Sequence, residues 1–313
     1  MAAVGASRTI VLHEVGPRDG LQMEQRVVPT EQKVRWIRAL AASGLDLVQV
    51  GSFVHPEKVP QMADTDRVFA ALAGGKAGGA TLSALVLNER GLERAQAAGV
   101  GMLCMGVSAS ETHSRKNTGM GTAEATDRIL AIAGRARGAG MRVQVSVQSA
   151  FGCGYEGAVP EERVLRLAAQ FLGAGVTAIS LADTAGHAVP DQVERMFAAV
   201  LALGDGVEAA CHFHNTYGLA LANCWAAYRA GVTSFESSVA GLGGCPFTKI
   251  AGGNTCTEDF VHMLQGMALR PDVDLARLIE VAGDVARFFG REMPGTVYRT
   301  GTVARPAAAG ARP

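Results

Sequence analysis

A chain of 313 residues with 29 basic and 29 acidic side chains carries no formal charge. It therefore has no electrostatic excess with which to hold a phosphate backbone, and no dense basic run appears, so nucleic acid is not an expected partner. No apolar run approaches the ~20 residues needed to cross a bilayer, and Met1–Thr9 has one Arg and no apolar centre, so neither a membrane span nor a secretory signal is expected. The six cysteines (104, 153, 211, 224, 245, 256) form no CxxC pair and read as reduced thiols of a cytoplasmic protein.

Eight short β-branched or apolar runs follow one another along the chain. They are Ile10–Val15, Leu47–Val50, Leu82–Val86, Met102–Val107, Val143–Val147, Ala178–Leu181, Val207–Phe213 and Ser234–Val239. Several are apolar at nearly every position, as parallel strands covered on both faces are. Helical spacing fills the intervals. Thr30 is expected to cap Glu31–Ala42, Thr122 and Glu124 precede Ile129–Ala139, Pro160 opens Glu161–Leu172 and Pro190 opens Asp191–Leu203. Glycines 44, 99, 140, 175 and 231 stand where left-handed caps would turn each helix back toward a sheet. This alternation predicts a (β/α)₈ TIM barrel over a single domain, residues 1–302. An open doubly wound sheet is the rival. Leu275–Phe289 has no strand before it and is expected as an additional C-terminal helix; residues 303–313, rich in Ala, Pro and Gly, are expected to form a disordered tail.

In a parallel barrel, reactive residues gather just after the strands, at one mouth. The first strand runs into Gly16-Pro17-Arg18-Asp19-Gly20-Leu21-Gln22, the seventh ends in His212-Phe213-His214, and the eighth leads to Gly241-Leu242-Gly243-Gly244-Cys245-Pro246 and on to Asn254. Strands seven, eight and one are neighbours once a barrel closes. His212 and His214, two apart on a strand, leave the same face. With the Asp19 carboxylate and the Asn254 carbonyl they make a nitrogen and oxygen set without thiolate, which suits Mg²⁺ or Mn²⁺ better than structural zinc. Arg18 beside Asp19 is either a turn ion pair or a donor to an oxygen that becomes negative in a transition state. Cys245 is either a small buried hydrophobe or a reactive thiol and proton donor.

Together these segments resemble the hydroxymethylglutaryl-CoA lyases, members of a wider TIM-barrel superfamily of metal-dependent lyases and Claisen enzymes. The matching pieces are Glu14 to Gln22, Ser52-Phe53-Val54, Val59-Pro60-Gln61-Met62, Gly154-Tyr155-Glu156-Gly157, Ser180-Leu181-Ala182-Asp183-Thr184, Ser237 to Pro246, Gly253-Asn254 and Thr257-Glu258-Asp259. The Gly-Leu-Gly-Gly-Cys-Pro segment is the most specific. The resemblance implies a metal held by Asp19, His212, His214 and Asn254, an enolate stabilised by Arg18, and a loop cysteine, Cys245, that covers substrate and assists proton transfer. It places Gln22, Ser52, Asp183 and Thr184 along the substrate pocket. The implied reaction cleaves 3-hydroxy-3-methylglutaryl-CoA to acetyl-CoA and acetoacetate, with Asp19 or His212 as base. An acyl-CoA is thus the expected partner, in a homo-oligomer, dimer or tetramer; leucine degradation is one pathway such a lyase serves.

Two positions depart from the lyase pattern. Gln49 stands where the lyases usually carry a glutamate, so another 3-hydroxyacyl thioester is a plausible substrate; an amide there can bind and orient but not take up a proton. Asn215 replaces a more usual aspartate and is shared with condensing relatives. A Claisen-type acyltransferase joining acetyl-CoA to a 2-oxo acid is therefore the alternative, and a catalytically weak barrel acting as a binding protein is a third reading.

Overall fold

A computed structural model describes residues 9–244 and 253–303. Eight parallel strands form the barrel: β1 (Val11–Glu14), β2 (Leu47–Ser52), β3 (Ala80–Leu85), β4 (Met102–Ser108), β5 (Arg142–Gln148), β6 (Ala178–Asp183), β7 (Glu208–Phe213) and β8 (Ser234–Ser237). All eight fall on the runs expected from the sequence. Each pairs with the next, and β1 pairs with β8 from Val11↔Ser234 to Glu14↔Ser237, so the sheet has no free edge. The fold is a closed (β/α)₈ TIM barrel, not an open sheet. A two-residue antiparallel strand, Lys76–Ala77, is appended to β3.

The helices are α1 (Thr30–Ala41), α2 (Thr65–Leu72), α3 (Glu89–Ala97), α4 (Glu111–Thr118), α5 (Thr122–Gly138), α6 (Glu161–Gly173), α7 (Pro190–Leu201), α8 (Ala220–Ala230), α9 (Thr257–Gly266), α10 (Leu275–Phe289) and α11 (Val297–Thr300). One expected cap is not formed, and α7 ends at Leu201 instead of Leu203. Thr30 lies inside the first turn of α1, after Pro29, and its hydroxyl donates to Asp64 Oδ2 at 2.8 Å instead of capping. The five glycines expected as left-handed caps all have positive φ. The additional helix spans Leu275–Phe289 as expected, and packs Phe288 edge-on against Trp36 of α1, whose indole N–H donates to Asp284 Oδ2 at 2.7 Å. Of the expected tail, all but Val303 lies outside the described residues.

Two regions of different chemistry divide the interior. Between strands and helices lies a continuous apolar shell that contains Leu12, Ile37, Phe69, Ile132, Phe171 and Phe197. Inside the barrel lies a small apolar cluster, Leu47, Met102 and Cys104. Polar side chains bond to one another across the lumen. His13 reaches across to Ser83, Nε2 to Oγ 2.8 Å, and Gln144 donates to Glu236 Oε1 at 2.6 Å. The strand registers place His13 opposite Glu236, and Glu236 opposite His212. A buried polar group costs free energy unless it is paired. A barrel interior filled this way is spent on a site, not on stability.

Candidate active site at the barrel mouth

After β1 the chain makes one wide helical turn, Gly16–Gly20, in which Asp19 N–H donates to Val15 O at 2.7 Å. Pro17 has no N–H to satisfy there, and Glu14 Oε1 accepts from Gly16 N at 2.7 Å, which fixes the turn's entry. Arg18 and Asp19 are thereby brought over the barrel. The guanidinium donates through Nε to Gln49 Oε1 on β2, and through Nη1 to Asp19 Oδ1 at 2.6 Å.

From β7 come His212 and, just beyond it, His214; their Nε2 atoms are 3.1 Å apart. Gly253 to Thr255 runs antiparallel to this end of the chain. Asn215 N–H donates to Gly253 O at 2.7 Å and Thr255 N–H to Phe213 O at 3.0 Å, which sets Asn254 opposite His214. Asn254 Nδ2 donates to Asp19 Oδ2 at 2.8 Å, and that oxygen is 3.9 Å from His212 Nε2. Asp19, His212 and His214 each offer a ligand atom, all within 4.8 Å of one another. The residues expected as metal ligands therefore meet in one place.

The chemistry of this donor set fits a divalent cation. Asn254 Oδ1 is buried without a hydrogen-bond partner, and buried polar atoms are seldom left so. Burial and the neighbouring His212 lower His214 to about 4, so its imidazole is neutral and free to donate an electron pair. Burial pushes the Asp19 carboxyl up, but Arg18 and the two imidazoles outweigh it and hold it well below the usual range. Burial also works against a charge on His212, yet Glu236, whose Oε2 is 3.1 Å from Nδ1, and Asp19 together raise it.

The other expected residues have diverse places. Gln49 is buried in the middle of β2 against Arg18. Ser52 follows on the same strand with its hydroxyl buried and unpartnered, while its backbone is tied on both sides to Thr65 Oγ1. Asp183 closes its own loop: its oxygens accept from His187 N at 2.8 Å and Ala188 N at 3.2 Å, and burial raises it to about 7. Thr184 Oγ1 accepts from Ser149 N at 2.9 Å. Gln22 is half-buried just after the Arg-Asp turn. Cys245 lies outside the described residues.

The interior partners Glu236, Gln144 and His13 were not among the expected site residues. Their signal was present: Val-Gln-Val-Ser-Val in β5 and Phe-Glu-Ser in β8 alternate apolar and polar, and a polar residue at such a place faces the lumen. Cys256, Glu258 and Asp259 form a second close acidic and thiol group. It lies at the start of α9, where Asp259 accepts from Thr296 N at 3.0 Å and Val297 N at 2.7 Å.

Known proteins resemble this chain in sequence and fold. The chain is 40% identical to the hydroxymethylglutaryl-CoA lyase of Bacillus subtilis over 287 residues, 92% of this chain and 95% of that one. It is 37% identical to a 3-hydroxy-3-isohexenylglutaryl-CoA/hydroxymethylglutaryl-CoA lyase of Pseudomonas aeruginosa, over 91% of this chain and 94% of the other. A structure of an HMG-CoA lyase from Acinetobacter baumannii in complex with coenzyme A and 3-methylmalate superposes with a TM-score of 0.89 at 35% identity, covering 96% of this chain and 98% of that one. The HMGL-like family model matches residues 9–285, and the chain belongs to that family, the family of the hydroxymethylglutaryl-CoA lyases.

Proposed function

We propose that this protein is a divalent-metal-dependent carbon–carbon lyase that cleaves 3-hydroxy-3-methylglutaryl-CoA, or a closely related 3-hydroxyacyl-CoA, to acetyl-CoA and a 3-oxo acid such as acetoacetate. The observation that carries it is the convergence of Asp19, His212 and His214 on one point beside Arg18. Asp19, His212, His214 and Asn254 would hold Mg²⁺ or Mn²⁺. Bound there, the cation would supply Lewis-acid help that makes the substrate's 3-hydroxyl proton easier to lose.

The protein's own groups account for the rest. Asp19 and His212 are the two acceptors for the hydroxyl proton; Gln49 cannot hold one. As the C2–C3 bond breaks, its electron pair passes to C2 and the thioester becomes an enolate, while C3 becomes the carbonyl of the 3-oxo acid. Arg18 is fixed by Gln49 and Asp19 on two of its nitrogens, so the guanidinium is oriented before substrate arrives and loses little freedom in meeting the enolate oxygen. Cys245 then supplies the proton to C2. Gln22, Gln49, Ser52, Asp183 and Thr184 shape the pocket, Asp183 through the loop it closes.

The Pseudomonas aeruginosa relative is named for a 3-isohexenyl as well as a 3-methyl substrate, which supports breadth in the acyl group. Asn215 gives the condensing alternative no support, since its Oδ1 accepts from Ala220 N at 3.2 Å and serves the start of α8. A cytoplasmic site of action agrees with the free state of the five described cysteines. Incubation with hydroxymethylglutaryl-CoA and Mg²⁺ or Mn²⁺ should release acetoacetate and acetyl-CoA in equal amounts. Release of free CoA from acetyl-CoA and pyruvate, without acetoacetate from the first mixture, would overturn the reading in favour of a synthase.

A further inference from the structure

The segment Gly295–Val297 is fastened to the stem of the glycine-rich segment that follows β8. Ala240, in that stem, has a φ of +59°, a left-handed conformation that a residue with a Cβ seldom adopts. Two bonds hold it there. Its N–H donates to Glu258 Oε2 at 3.0 Å, and its carbonyl accepts from Gly295 N at 3.0 Å. Asp259, next to Glu258, accepts the amides of Thr296 and Val297. The acid pair at the start of α9 thus fastens the Gly295–Val297 segment onto Ala240. That segment lies beyond the residues, 9–285, over which the family model matches.

The fit is too close to be loose. A Cβ on Gly295 would stand 2.7 Å from both Cys256 Sγ and Glu258 Oε1. Farther along the stem, a Cβ on Gly253 would run into Gly241 O, and one on Gly243 would meet Asn254 Nδ2 at 2.7 Å. Gly243 is therefore the wall behind the Asn254 amide, and Ala240 is the anchor of that wall. Both Asp259 oxygens are committed to backbone amides, so the Cys256, Glu258 and Asp259 group works as a clamp and not as a second metal centre.

We infer that Glu258 is a positioning residue for Asn254: with Asp259 it clamps the C-terminal segment onto Ala240 and so fixes the wall that aims the Asn254 amide at Asp19. This rests on the reading of Asp19, His212, His214 and Asn254 as a metal centre. Burial raises Glu258 to about 8, so at neutral pH it is a neutral acid, and glutamine reproduces its shape and its acceptor oxygen.

Mn²⁺ binding to the full-length protein, followed by the loss of the free-ion EPR signal at pH 7, tests the inference without using turnover. Glu258→Ala should weaken binding by roughly tenfold, the low end of what loss of an outer support costs a metal site. Glu258→Gln should restore it to within about threefold, and Asp259→Ala, a milder loosening of the same clamp, should weaken it by about three- to fivefold. In steady-state assays the alanine variants should need more Mn²⁺ for half-maximal rate, with less change in KM for the acyl-CoA. A folded Glu258→Ala that binds Mn²⁺ like the wild type would overturn the clamp. Should Glu258→Ala fail to fold, wild-type binding by Asp259→Ala does the same. His212→Ala separates the two levels: wild-type Mn²⁺ affinity in that variant means that the metal centre itself is misplaced, and the clamp falls with it.

Discussion

The Nε2 atoms of His212 and His214 face each other at 3.1 Å inside a buried site. Two imidazole nitrogens at that separation repel if both present lone pairs and are relieved if one carries a proton or a cation is shared. His214, lowered to about 4 by burial and by His212, is a neutral imidazole near neutral pH, so it has a lone pair to offer a cation. A shared cation resolves the pair and uses Asp19 as well. Mn²⁺ at about 100 times its Kd should therefore stabilise the protein against urea by about 2.7 kcal/mol. In His214→Ala the added stability should vanish, and EDTA should abolish turnover of the wild type. A denaturation curve indifferent to Mn²⁺ would remove the basis for the site.

Gln49 is the position at which this barrel departs from the lyase pattern, and its contact is direct: Oε1 accepts from Arg18 Nε. A carboxylate there would add a proton acceptor on β2 beside Arg18 and a second negative partner for the guanidinium. Gln49→Glu is expected to raise kcat on hydroxymethylglutaryl-CoA, by up to about 10²-fold if acid–base help is what the amide lacks. Steady-state kinetics on both forms decide. An unchanged kcat, with good activity already present in the wild type, would show that the carboxylate is dispensable in this protein and that Gln49 only holds Arg18.

Glu236 supports the site from below. Its Oε2 is 3.1 Å from His212 Nδ1 and its Oε1 accepts from Gln144. A carboxylate in that place fixes the tautomer that leaves Nε2 free and makes the ring a stronger donor. Glu236→Gln should weaken Mn²⁺ binding by about 10- to 100-fold while His214, which Glu236 does not touch, keeps its place. Isothermal titration with Mn²⁺ measures this. Equal affinity in the two proteins would mean that His212 is oriented by its strand alone.

The barrel was legible because its signal is repetitive: eight apolar runs, each covered on both faces, and helices closed by left-handed glycines. The mouth was legible because strand adjacency follows from closure, so an acid after β1 and two imidazoles at β7 had to become neighbours. Polar contacts across the lumen were not. His13 and Ser83 are 70 residues apart, and no local pattern says that one will bond the other. The clamp was hidden for the same reason. Glu258 and Asp259 were read only as part of a motif, whereas their work is to hold amides at Ala240, Thr296 and Val297, and backbone partners have no sequence signature.

Glu258 also predicts a dependence of stability on pH. Burial is the main cause that raises it from an ordinary 4.5 to about 8, against the bonds from Cys256 and the Ala240 amide that favour its charge. Between those two values the folded protein keeps a proton that the unfolded chain has released. The stability contributed by this group is thus complete below about pH 4.5 and is lost as pH rises toward 8. Glu14 and Asp183, each raised to about 7, slope the same way in any variant that retains them. Glu258→Gln removes only its own share. From pH 6 to pH 8.5 the unfolding free energy of the wild type should therefore fall more than that of Glu258→Gln, by on the order of 2 kcal/mol. Urea titrations at the two pH values give the difference directly. Parallel losses in the two proteins would mean that Glu258 is already ionised at pH 6, and that the clamp on Ala240 is held by a carboxylate instead of a neutral acid.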